Sequence, residues 1–204
     1  MPKTGNEYEE VFASLPQHVD EQLPGILREV DGGAALLAEI FGTLEPERKA
    51  LLGSGVRFRS LQLCQLLEEK SRALWFSAPA RAVQLADLAV VVAERLDDAH
   101  YGPLLAEDAR ASAWAHLGNA LRIASDHHRA EEALRIAEEH QRRSGEDAYT
   151  EALILSFKAS LRSAQGQFNE AARLLDGVNR CHPCGSAGGV VHPPVIKRYS
   201  SRLV

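Results

Sequence analysis

The chain has 204 residues, of which 45% are hydrophobic and 6% aromatic, and its formal net charge is −5 at pH 7. This length suits one domain, or one domain with a small tail. The net negative charge predicts no overall basic surface for binding nucleic acid or an anionic membrane. We expect no signal peptide and no membrane span, because neither an apolar signal core nor a long apolar run is present. Three cysteines, one isolated and two in the tail, do not form a disulfide framework, so a cytoplasmic protein is the default expectation.

The first 56 residues predict short helices separated by proline and glycine. The polar stretch before Pro16 has helical spacing, and both a short docking helix and a frayed terminus are open interpretations. Residues 34–41 predict a compact apolar helix, and Pro46 with its acidic neighbours predicts a second helix start. Residues 1–47 contain only two basic side chains, Lys3 and Arg28, which argues against a DNA-recognition helix in this region.

A first pair of long helices is predicted after residue 60. The first helix runs from Ser60 to about Phe76, and Pro79 opens the second, which ends around residues 96–98. Cys64 lies on the apolar side of the first helix and is predicted to be in the core. Trp75 and Phe76 are predicted to fill the space between helices.

Residues 111–144 predict two further helices packed against each other. One helix presents four residues at positions i, i+3, i+4 and i+7, and the other presents a matching face of small and apolar residues. These residues are Trp114, Leu117, Gly118 and Leu121 in the first helix, and Ala130, Leu134 and Ala137 in the second. Ser125 to His128 break the pattern, and Asp126 is predicted to cap the second helix.

A third pair is predicted over residues 148–179, with Ala159 and Ala171 at the corresponding packing positions. After residue 179 the proline and glycine content cannot continue a helix. A truncated array, a frameshifted end and a flexible tail all remain open for this segment. Cys181, His182, Cys184 and His192 are candidate zinc ligands, but a second ligand pair at a fixed distance is missing, so we expect no metal and no other cofactor.

The central pattern resembles the tetratricopeptide repeat, a 34-residue helical hairpin. The residues that carry this resemblance are Trp114, Leu117, Gly118, Ala130, Leu134 and Ala137, with Ala171 at the equivalent position of the third pair. The segments 61–67 and 82–86 also look like those of bacterial proteins of this family found near regulators. The resemblance implies an all-α fold, namely an antiparallel helix-hairpin array or α-solenoid. We therefore expect short N-terminal helices in residues 1–56, repeats in 57–179 and an irregular tail in 180–204.

In such an array the first helices of successive pairs line a concave groove. The resemblance places seven residues there: Ser112, Ala115, Asn119, Arg122, Ser156, Ser160 and Ser163. Hydroxyl, amide and guanidinium groups suit the backbone of an extended peptide. It is equally open that these residues are simply the solvated side of the array.

The resulting expectation is a non-catalytic scaffold that binds a peptide or protein segment, without nucleic acid or membrane partners. The alternative is a regulatory protein associated with transcription or signalling, with the repeats as a sensor module. An enzyme ranks third, because no acid, base and nucleophile converge in the sequence. The oligomeric state and the identity of the partner are not predicted.

Overall fold

The computed structural model describes residues 32–145 and 147–181. Within these ranges all regular structure is helical, which confirms the predicted all-α class. The described residues from Gly33 onward belong to one compact unit. None of the helices in this part of the chain has the combined length and apolar character needed to cross a bilayer.

Two helices precede the long ones. Helix α1 covers residues 32–42 and includes the helix predicted over 34–41, and α2 (Arg48–Ser54) follows a short 3-10 turn at Glu45–Glu47. Leu37, Ile40 and Leu52 from these helices are buried in the same hydrophobic cluster as the rest of the core. The predicted boundary at residue 56 is not tested by this packing and stays a prediction.

The remaining long helices form three hairpins, each joined by a short turn. Hairpin 1 is α3 (Leu61–Leu74) with α4 (Pro79–Ala93), hairpin 2 is α6 (Pro103–Ile123) with α7 (His127–Arg143), and hairpin 3 is α8 (Ala148–Ala164) with α9 (Phe168–Cys181). The one-turn helix α5 (Asp98–Tyr101) connects hairpin 1 to hairpin 2.

The hairpins pack side by side in chain order. Helix α6 contacts both helices of hairpin 1, and α8 contacts both helices of hairpin 2. One hydrophobic cluster therefore runs through all three hairpins. Because a hairpin cannot bury both of its faces alone, each one depends on its neighbour for stability.

Side-chain caps at three helix starts explain where these helices begin. The side chains of Ser60, Asp126 and Asp147 each accept a hydrogen bond from a backbone N–H three residues later, at 3.2 Å. Such a cap satisfies one of the N–H groups left without a partner in the first turn. The predicted cap at Asp126 is confirmed.

The two helices of hairpin 2 approach most closely at Gly118. A Cβ atom at this position would lie 2.7 Å from Leu134 Cγ and 3.3 Å from the carbonyl oxygen of Ala130. Only glycine fits this distance without movement of Leu134, which is buried. The predicted close contact between these two helices is thus confirmed at atomic detail.

The long helix of hairpin 2 starts earlier than predicted. Its first residue is Pro103, eight residues before the predicted start at Ala111. The added turns bury Ala106 and Ala109 in a small cluster with Leu96, so they extend the packed face of the helix. The His100–Pro103 segment, predicted as an open connector, contains the end of α5 and the proline that begins α6.

Candidate functional site

Three of the predicted groove residues are buried instead of lining an open surface. Ser112, Ala115 and Asn119 are each at most 2% exposed. The reason is that α6 is covered by hairpin 1 on one side and by α8 on the other. The expectation that these three side chains face an open groove is wrong for this packing, while the peptide-binding role of the whole set stays a prediction.

The other predicted groove residues lie on an accessible surface. Ser156 and Ser160 are half-buried on α8, and Ser163 is exposed one turn later. An open depression of about 460 Å³ lies beside them, between the C-terminal halves of α6 and α8 and one side of α9. Its lining residues are Arg122, Ala159, Ser160, Ser163, Ala164 and Leu175.

Arg122 supplies the positive charge of this depression. Its Nε donates a hydrogen bond to Asn119 Oδ1 at 2.9 Å, and among the described residues no carboxylate forms an ion pair with it. Burial lowers the pKa of Arg122, because removal from water disfavours the charged form. A half-buried guanidinium has five N–H donors, and the bond to Asn119 uses one of them.

Three other buried or half-buried cations of the hairpins pair with acidic side chains, whereas half-buried Arg72 has no ion pair with a described carboxylate. These pairs are Arg110 with Asp98 and Glu107, Lys158 with Glu138, and Arg162 with Glu131 and Glu170. Arg122 differs from them, since its partner is an amide oxygen without charge. The depression therefore presents a cation whose charge is not compensated by the described part of the chain.

Two further N–H donors lie at the C-terminal end of α3, outside the lining of the depression. Trp75 is half-buried, and its ring contacts His116 of α6 and Phe157 of α8, with centroids 6.1 and 5.9 Å away. This confirms that Trp75 fills the space between helices, whereas Phe76 is 84% exposed and does not. The Trp75 Nε1 and Arg72 Nε atoms are buried without an acceptor among the described residues.

A buried polar cluster between α3 and α6 was not anticipated from the sequence. Ser112 Oγ donates to Glu68 Oε2 at 3.3 Å, and His116 Nε2 lies 3.6 Å from the same oxygen. Cys64 Sγ donates to Glu68 Oε1 at 3.8 Å and is buried, as predicted. These groups contact one another inside the core, so we assign them a structural role.

Metal-ligand geometry is not found in the described ranges, where no group of three or more His, Cys, Asp or Glu side chains could hold an ion. The candidate zinc ligands His182, Cys184 and His192 lie outside those ranges, as does the side chain of Cys181.

Comparison with protein-family models, curated proteins and solved structures gave no match for this chain.

Proposed function

We propose that this protein is a non-catalytic interaction scaffold with tetratricopeptide-like hairpins, and that it binds an acidic peptide or protein segment in the depression beside Arg122. The observation that carries the proposal is the half-buried guanidinium of Arg122, which faces an open surface without a carboxylate partner in the described chain.

The order of helix packing supports an array. Helices α3, α6 and α8 each begin a hairpin, and α6 contacts both of the others. Their side chains meet directly where the ring of Trp75 contacts His116 and Phe157. A surface built from first helices is the surface on which a tetratricopeptide-like array would hold an extended segment.

The unused N–H groups of Arg122 support a ligand with acceptor oxygens. One of the five N–H donors of its guanidinium bonds to Asn119, and the described residues supply no carboxylate for the others. An acidic side chain or a terminal carboxylate of a bound peptide would pair with Arg122 through a charge-assisted hydrogen bond.

The proposal is tested with peptides of defined sequence. A phage-displayed library of random peptides is selected on the folded chain, and each acidic residue of a binding peptide is then replaced by its amide. A hydrogen bond to a charged group contributes about 1.5–3 kcal/mol, so loss of the essential carboxylate should weaken binding roughly 10- to 150-fold. The Arg122→Gln variant should lose affinity by a similar factor and should no longer distinguish acid from amide.

A charge-matched control keeps this test specific. Arg142→Gln removes the same charge from an exposed position on α7 and should leave the affinity unchanged. Circular dichroism verifies that both variants fold. If no peptide is enriched, or if Arg122→Gln and Arg142→Gln bind alike, Arg122 is not the anchor of a binding site.

A further inference from the structure

A network of charged side chains connects hairpin 1 to hairpin 2. His140 of α7 lies between two carboxylates, with Nδ1 2.8 Å from Glu107 Oε2 in α6 and Nε2 3.4 Å from Glu94 Oε1 at the end of α4. Glu94 also accepts a hydrogen bond from Trp114 Nε1 at 2.6 Å. The contact between His140 and Glu94 is important because α4 and α7 pack mainly against α6 and not against each other.

The charges around His140 balance only when its ring is protonated. Arg110 of α6 binds Asp98 of α5 at 2.7 Å and Glu107 at 2.8 Å, and Arg143 lies 3.9 Å from Glu107. Three carboxylates, those of Glu94, Glu107 and Asp98, thus face two guanidinium groups. An imidazolium at position 140 supplies the third positive charge.

The junction between hairpins 2 and 3 has a different composition. There, Lys158 of α8 pairs with Glu138 of α7, and Arg162 of α8 pairs with Glu131 of α7. Lysine and arginine ordinarily keep their charge throughout the neutral range, whereas histidine does not. The two junctions therefore differ in how they respond to pH.

We propose that the contact between His140 and Glu94 depends on the protonation of His140. The protonated ring binds Glu94 and holds hairpin 1 against hairpin 2, whereas the neutral ring no longer binds Glu94. This inference concerns regulation of the fold and goes beyond the proposed function, since it does not depend on any ligand. It makes the position of α4 relative to α7, and hence the spacing of the hairpins, sensitive to pH.

The two carboxylates beside His140 determine how its contribution to stability changes with pH. The hydrogen bond to Glu94, followed by that to Glu107, raises the pKa of His140 above 6.5, against the opposing effect of burial. The contact therefore contributes fully to stability below pH 6.5 and is lost as the pH rises through the folded pKa. The bond from His140 lowers the pKa of Glu94 below 4.5, so on the acid side the contribution is lost as the pH falls through that folded value.

The test uses the full chain and two measurements. An NMR titration of the imidazole protons should place the midpoint of His140 above 6.5. Urea unfolding of wild type and of His140→Gln should show that the variant has the larger unfolding constant at pH 5.5. The unfolding constant of His140→Gln divided by that of wild type should fall as the pH rises toward 8.5. The fall should be at most about tenfold per pH unit, which is the limit for one proton. His128→Gln, at an exposed position of the same helix, should match wild type at every pH.

The proposal is overturned if His140 titrates at or below pH 6.5, or if the ratio of unfolding constants does not change with pH. Should His140→Gln fail to fold, Glu94→Gln serves in its place, because that carboxylate is 42% exposed. This second variant should lower the midpoint of His140, and an unchanged midpoint would also contradict the proposal.

Discussion

At the scale of single residues, Gly118 sets the distance between the two helices of hairpin 2. Replacement by alanine places a methyl group 2.7 Å from Leu134 Cγ, close to the branch point of a buried side chain. Overpacking of this kind costs about 1–3 kcal/mol, and we expect that loss in the free energy of unfolding measured with urea. Gly118→Leu should lower the free energy of unfolding further, so that the chain unfolds or aggregates.

A matched glycine and a second-site variant check this explanation. A Cβ at Gly42, near the end of α1, meets no atom within 4 Å, so Gly42→Ala should be neutral or slightly stabilising. In the Leu134→Ala background the additional cost of Gly118→Ala should shrink, since the two sites share one contact. Equal costs in both backgrounds would mean that Leu134 is not what Gly118 avoids.

Single residues also mark the limit of what the sequence could predict about the site. The spacing of Trp114, Gly118 and Leu134 indicated their packing, because helical periodicity is a local property. The exposure of Ser112 and Asn119 was not predictable in this way, since it depends on hairpins far away in the chain that cover α6. The lack of a carboxylate partner for Arg122 could be recognised only once its neighbours in the folded chain were known.

At the scale of one helix, the Asp126 side chain determines where α7 begins. It accepts a hydrogen bond from the Arg129 N–H at 3.2 Å. Asp126→Ala should destabilise the protein by about 1 kcal/mol, in line with other lost N-caps, and Asp126→Asn should retain most of the stability because asparagine caps equally well. Thermal or urea unfolding compares the three chains, and an alanine variant as stable as wild type would show that the cap is dispensable.

Helix boundaries divide into those that are encoded locally and those that are not. The cap at Asp126, the proline at the start of α4 and the helix starts near Ser60 and Ala148 were recognised from the sequence. The start of α6 was missed, because Gly102 and Pro103 resemble a loop in sequence. Gly102 has a φ of 80°, a conformation that glycine adopts readily, and it turns the chain directly from α5 into α6.

At the scale of the whole molecule, the sequence predicted helices in pairs but not the polar contacts between pairs. Glu68 and Ser112 are 44 residues apart, and Glu107 and His140 are 33 residues apart, and neither pair follows a helical period. These contacts arise only once the hairpins are stacked, so they depend on tertiary packing. The stacking of the hairpins also places the groups on which the two proposals rest, namely Arg122 at the edge of the depression and His140 between two carboxylates.

The most direct test of the proposed scaffold is an NMR map of the bound peptide on the isotope-labelled chain, using a peptide selected as above. We predict that the largest shifts fall in the C-terminal halves of α6 and α8, around residues 119–123 and 160–164, and include the Nε–H signal of Arg122. Shifts confined to α1, α2 or α7, with Arg122 unchanged, would contradict the proposal that this depression is the binding site.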